Sequence, residues 1–253
     1  MIKYNSFGEI GEKPTLLIAH GLFGSARNWR AIGRTLAADR QVHVVDMRNH
    51  GDSFWDDDNS YSAMANDLAQ VIECLGSPMD VLGHSMGGKA SMVLALQNPS
   101  LVHRLLVADI APKAYKHDQV SNIEIMKALD LSSFTRRSEA DTILAQSIPE
   151  AAIRSFFLQS LIISDQGNSW QLNLNALEKN MHLIVGFPDA QGVFNGETLF
   201  LRGGASPYVQ DSDMQNILAQ FPMSDLRTID GAGHWLHAEA TRDFIAETKA
   251  FLN

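Results

Sequence analysis

Gly83-His84-Ser85-Met86-Gly87 places a serine with a glycine two residues away on either side. A serine hydroxyl is a weak nucleophile until a neighbouring base takes its proton. The pentapeptide alone also fits a glycine-rich turn with an incidental serine, so its flanks decide the reading. Met79 to Gly83 reads as a strand and Met86 to Gln97 as a helix. A serine at so sharp a strand-to-helix turn needs small residues at both glycine positions, because the backbones there pass closely. It would also sit at a helix N-terminus, where free N–H groups favour negative charge. The Met86 N–H could therefore help to hold an oxyanion. The chemistry this implies is attack on an acyl carbon, with a covalent acyl-enzyme on Ser85.

The candidate base is His234, in Gly231-Ala232-Gly233-His234-Trp235. Its paired glycines would let the loop bring the imidazole over the sheet edge. His237 competes but lacks that glycine-supported loop. His234 and His237 at i, i+3 could also bind a metal, but no third ligand motif lies nearby, so no metal is expected. Two places could supply an acid to orient the base. Asp109 stands in an apolar run, Leu105 to Ala111, where a carboxylate is costly unless paired, and at a strand C-terminal end, where catalytic residues gather. Alternatively, Asp211 or Asp213 follows the strand Thr198 to Arg202, beyond a loop that carries Ser206.

These residues need elements to position them. Nearly continuous apolar runs recur at Thr15 to His20, Val42 to Met47, Met79 to Gly83, Arg104 to Ile110, Thr198 to Arg202 and Leu226 to Asp230. Such runs suit parallel strands covered on both faces. Between them Tyr61 to Leu75 has helical period, and so does Ala90 to Leu96, which Asn98-Pro99 stops. The alternation predicts an α/β, mostly parallel, doubly wound sheet. It breaks between about Pro112 and Pro188, where helical patterns occupy Ile123 to Leu129, Glu139 to Ser147, Glu150 to Ser160 and Leu174 to Val185, with Trp170 to Leu172 as one strand-like exception. The simplest organisation is a core of residues 1–111 and 188–253 with a helical cap inserted over 112–187.

The 253 residues are 45% hydrophobic and 19% charged, enough for one sizeable core. Twenty basic against 29 acidic residues give a net charge of -9, which argues against nucleic-acid or anionic-membrane binding. Cys74, the single cysteine, excludes an internal disulfide and reads as a buried thiol on the helix of Leu68 and Ile72. Lys89 reads as a solvated helix lysine, with contact to an anionic substrate tail as the alternative. Phe156, Phe157 and Trp170 either line an acyl pocket or pack the cap. The first residues have no apolar leader, and no apolar stretch is long enough to span a bilayer, so a cytoplasmic protein is expected.

Taken together, His20-Gly-Leu-Phe-Gly-Ser25, Asp46-Met-Arg-Asn-His-Gly51, Gly83-His-Ser-Met-Gly-Gly-Lys89, Asp109-Ile-Ala-Pro112, Arg202-Gly-Gly-Ala-Ser-Pro-Tyr208 and Gly231-Ala-Gly-His-Trp235 resemble the α/β-hydrolase superfamily, and within it the YbfF-like esterases. The resemblance implies the α/β-hydrolase fold, in which the chain order is serine, acid, histidine. It implies Asp109 as the acid with a non-acid at Ser206. It places the second oxyanion donor in the loop after the first buried strand, at the Leu22 N–H; read alone, that loop is equally a glycine turn with His20 packed on the core. Asp46 to Ser53 resembles a structural turn of the same superfamily, with Asn49 where a glycine is usual. The implied activity needs no cofactor: hydrolysis of small-molecule acyl esters of short to medium length, including acyl thioesters. Rivals on the same scaffold are C–C bond hydrolysis, lyase or cofactor-free haloperoxidase chemistry, and a non-catalytic ligand-binding protein.

Overall fold

The computed structural model describes residues 1–76, 78–116 and 118–253. Along the chain run β1 (Tyr4–Phe7), β2 (Leu16–Ala19), α1 (Arg30–Leu36), β3 (Val42–Val45), α2 (Tyr61–Leu75), β4 (Met79–His84), α3 (Met86–Gln97) and β5 (Val102–Ala108). Then come α4 (Val120–Ala128), α5 (Arg137–Leu144), α6 (Ala151–Leu158), β6 (Leu161–Ile162), β7 (Ser169–Trp170), α7 (Leu174–Lys179) and α8 (Met181–Val185). The chain closes with β8 (Thr198–Gly203), α9 (Met214–Gln220), β9 (Ser224–Ile229), α10 (Leu236–Glu239) and α11 (Thr241–Leu252).

Seven strands form one sheet in the order β1-β3-β2-β4-β5-β8-β9. All pairs are parallel except β1 with β3, which is antiparallel. The six apolar runs became the six parallel strands. β1 escaped the pattern because an edge strand buries little: Tyr4–Phe7 shows only half-buried and exposed residues. Hydrophobic clusters lie on both faces, one around α2, α3 and the helices between β5 and β8, the other around α1 and α11. That two-sided cover is why the central strands are apolar at nearly every position.

Between β5 and β8 lie five helices and the small antiparallel hairpin β6–β7. The expected single helix over Leu174 to Val185 is two, broken at Asn180. The Asn180 amide donates to the Ala176 and Asp57 carbonyls at 2.8 Å each, competing with the helical ladder. This segment hydrogen-bonds to the rest of the chain: Ser160 Oγ donates to the Phe23 carbonyl at 3.1 Å, and Asn173 N–H to the Asn49 carbonyl at 3.0 Å. Cys74 is exposed, contrary to expectation. In the last turn of α2 it points about a third of a turn away from Leu68 and nearly half a turn away from Ile72, off the buried stripe. Among the described residues no helix is long and apolar enough to cross a membrane.

Asp46 explains the turn after β3. Its carboxylate accepts the Ala26 N–H at 2.7 Å and the Asp52 N–H at 3.1 Å, tying two loops together. Asn49 adopts a φ of 66°, the left-handed geometry that asparagine tolerates.

Candidate active site

Ser85 occupies the turn between β4 and α3 with φ 53° and ψ −117°, a strained conformation for a residue with a side chain. The close packing around it fixes that strain. A Cβ on Gly83 would lie 2.4 Å from the Gly87 carbonyl oxygen, and one on Gly87 would lie 2.4 Å from that of Ala19. Both obstacles are backbone, so only glycine fits. The turn thus pushes the Ser85 hydroxyl into a cavity of about 440 Å³.

His234 Nε2 lies 3.0 Å from Ser85 Oγ, and His234 Nδ1 lies 2.7 Å from Asp109 Oδ2. Since a carboxylate only accepts, the ring carries its proton on Nδ1 and offers Nε2 to the serine O–H. Asp109, fully buried just past the end of β5, has φ 50°. Its Oδ1 accepts the Gly203 N–H at 3.0 Å, and Ser206 Oγ–H donates to Oδ2. The serine in the β8 loop therefore contacts the carboxylate from the neighbouring strand. Asp211 pairs with Arg202 at 2.7 Å and Asp213 with Lys113 at 2.6 Å, so neither reaches His234.

Leu22 and Met86 line the cavity beside Ser85, and no described residue accepts a hydrogen bond from either backbone N–H. The Leu22 loop is held from behind by two buried histidines. His20 Nδ1–H donates to the Gly21 carbonyl at 2.8 Å while its Nε2 accepts the Met47 N–H at 3.0 Å. His50 Nδ1–H donates to the Arg48 carbonyl at 2.8 Å while its Nε2 accepts the Phe23 N–H at 3.2 Å. Burial lowers their pKa values to about 4 and about 3, so both stay neutral and serve as fixed donor–acceptor struts.

The His234 loop is fastened in the same way. Glu239 accepts the Gly233 N–H at 2.6 Å, His84 Nε2–H donates to the His234 carbonyl at 2.9 Å, and Tyr208 stacks on the His234 ring at 3.8 Å. His237, the competing base, is buried and stacked on Trp29 at 4.4 Å, with its pKa lowered to about 3 by burial. The hydrogen bond to Ser85 Oγ comes from His234 and not from His237. Sequence reasoning missed His84, Tyr208 and Glu239 in these supports. His84 inside the serine motif and Tyr208 at the end of the Arg202 to Tyr208 motif were the available signals.

The rest of the cavity is mainly apolar. Ile110, Ile153, Phe156, Phe157, Met181, Ile184, Val185 and Trp235 line it. Of the three aromatic residues left open by the sequence, Phe156 and Phe157 face the cavity. Trp170 instead packs within the insertion, its indole N–H donating to the Met126 carbonyl at 3.1 Å. Lys89 overturns its reading as a solvated lysine: it is 1% exposed and lines the cavity. α3 is buried at every position from Met86 to Leu96, and the Lys89 side chain ends against Tyr61 of α2 and the carbonyls of Ile184 and Val185. Among the described residues no cluster of three or more His, Cys, Asp or Glu could hold a metal ion.

A serine on a strained strand-to-helix turn of a doubly wound sheet, facing a histidine and a buried aspartate, is an arrangement for nucleophilic chemistry. The sequence matches the family model for the alpha/beta hydrolase fold over residues 14–241. The chain belongs to that family. It is 38% identical to the mouse sn-1-specific diacylglycerol lipase ABHD11, covering 99% of this chain and 85% of the mouse protein. It is 34% identical to Esterase YbfF of Escherichia coli, covering 94% and 92% of the two chains. A solved structure described as a marine microorganism esterase superposes with a TM-score of 0.94 at 36% identity, covering 99% of this chain and 98% of that one.

Proposed function

We propose that this chain is a serine carboxylesterase that cleaves short-to-medium acyl esters through an acyl-enzyme on Ser85. The observation that carries this reading is the unbroken path from Ser85 Oγ through His234 to Asp109, at 3.0 and 2.7 Å, opening on a mainly apolar cavity. In this mechanism His234 takes the Ser85 proton as the oxygen attacks the acyl carbon. The Leu22 and Met86 N–H groups hold the oxyanion, a contribution worth about 3–4 kcal/mol per donor in enzymes of this kind. His234, now an imidazolium steadied by Asp109, protonates the leaving alcohol. Water then attacks the acyl carbon as His234 takes its proton, and His234 returns that proton to Ser85 Oγ as the Oγ–acyl bond breaks and the carboxylic acid leaves.

The lipase and esterase relatives support ester hydrolysis, and the apolar lining supports an acyl chain as the group that fills the cavity. Thioesters follow by the same steps, with a thiol as leaving group. The helices of 112–187 act as the cap that closes the acyl pocket, and the substrate is a small molecule in a soluble, cytoplasmic setting. Labelling by an organophosphonate tests the reading. It should modify Ser85 and vanish in Ser85→Ala along with p-nitrophenyl ester turnover, whereas labelling that persists at another residue would refute it. A panel of esters, thioesters and vinylogous diketones separates this activity from C–C bond hydrolysis.

A further inference from the structure

The side chain of Lys89 is a buried amine with an unusual set of partners, and burial lowers its pKa to about 7. It sits one helical turn after the nucleophile on α3, its own N–H bonded to the Ser85 carbonyl at 3.0 Å. Its ammonium donates to three consecutive carbonyls at the C-terminal end of α8: Ile184 at 3.4 Å, Val185 at 3.0 Å and Gly186. The aromatic faces of Tyr61 and Tyr115 flank it, with ring centroids 5.6 and 4.7 Å from Nζ. Among the described residues it forms no ion pair. The negative end of a helix and two π faces are thus what balance its charge.

The same helix end receives two more donors from outside the segment Val120–Val185. Tyr61 Oη–H donates to the Ile184 carbonyl at 2.6 Å, and Tyr115 N–H donates to the Val185 carbonyl at 2.9 Å. Three groups on separate elements therefore converge on one short stretch of backbone. That stretch forms cavity wall, since Met181, Ile184 and Val185 all face the space next to Ser85.

We propose that Lys89 is a positioning residue that pins the end of α8 against the core and so sets the acyl-chain preference of the site. It acts through the wall and not on the reacting atoms. A lysine is suited to this because its three N–H donors meet three carbonyls at once, while its aliphatic stem packs among apolar neighbours. With a methionine there the stem's volume remains but the cation and its donors go. Carbonyls in an apolar setting then lose a strong partner, and the end of α8 gains freedom. Acyl chains long enough to lie against Met181, Ile184 and Val185 lose their contact surface. An acetyl group, held at the serine, does not depend on it.

This inference rests on the acyl pocket proposed above, and its test is built to fail separately. Lys89→Met and wild type are titrated with an organophosphonate, and kcat/KM is measured for p-nitrophenyl acetate and octanoate. The octanoate-to-acetate ratio should fall at least tenfold in Lys89→Met, with Ser85 still titrating fully. Hydrogen exchange at the amides of residues 183–186 should speed up at least tenfold in the variant. An unchanged ratio together with unchanged exchange overturns the proposal. Should Lys89→Met fail to fold, Tyr61→Phe decides: it removes one donor to Ile184 and keeps the ring, and should shift ratio and exchange the same way by a smaller factor. Loss of Ser85 labelling in the wild type would instead refute the proposed function, and the exchange measurement would still judge the pin.

Discussion

Asp109→Asn should inactivate the enzyme without unfolding it, and the hydrogen bonds say why. The Gly203 N–H donates to Oδ1 at 3.0 Å, so an asparagine must keep its carbonyl oxygen there. Its NH2 group then faces Nδ1 of His234, where the carboxylate now accepts at 2.7 Å. Two donors cannot share that contact. The ring therefore shifts its proton to Nε2, the nitrogen 3.0 Å from Ser85 Oγ, and can no longer accept the serine proton. A fixed wrong tautomer of this kind lowers kcat by about 10⁴, or about 5.5 kcal/mol of barrier. The fold should survive, because the amide is isosteric and a buried charge has been removed. The assay is p-nitrophenyl butyrate hydrolysis alongside a melting curve. Activity within tenfold of wild type at unchanged Tm would refute the tautomer argument and with it Asp109 as the acid.

Other consequences can be measured independently. Ser206→Ala removes a donor to the buried carboxylate and should lower stability by about 1.5–3 kcal/mol in a denaturant titration, with kcat within about tenfold because Gly203 and His234 still hold Asp109. A loss of kcat as deep as that of Asp109→Asn would contradict this. Gly87→Ala drives a methyl to 2.4 Å from the Ala19 carbonyl oxygen, and overpacking of about 3 kcal/mol should lower Tm by roughly 6–12 °C; a Tm within ~2 °C of wild type would show that the turn can yield. His20, His50 and His237 have pKa values lowered to about 4, 3 and 3, so the unfolded chain binds more protons than the folded one below pH 6.5. Stability should be fully present above that pH and fall toward pH 4 by up to ~1.4 kcal/mol per unit for each histidine. His237→Phe keeps the stacking on Trp29 and should flatten the slope by about one proton; a slope equal to wild type would rule out His237 as a contributor.

The parallel core was legible because burial on both faces leaves its mark on every residue of a strand, as in Leu16–Ala19 and Val42–Val45. β1 was not, because none of Tyr4–Phe7 is fully buried and the four residues carry no apolar run. Ser85 could be read from Gly83 and Gly87, where backbones pass too closely for a side chain, and His234 from the glycines before it, of which Gly231 holds a φ of 73°. Asp109 could be preferred from its apolar run and its place at a strand end, but what holds it depends on β5 lying beside β8, which brings Gly203 and Ser206 to its oxygens. That adjacency is a property of sheet order and leaves no local trace. Lys89 was misread for the same kind of reason. Its burial comes from α8, nearly a hundred residues further along the chain, and helical period records only the face, not what later covers it.

The proposed acyl-enzyme on Ser85 can be trapped directly. Rapid mixing with p-nitrophenyl butyrate, followed by acid quench and mass analysis of the digest, should find a butyryl group on the peptide that carries Ser85. None should form on Ser85→Ala. Turnover without an acyl-Ser85 peptide, or butyryl on any other residue, would contradict the nucleophile and the mechanism built around it.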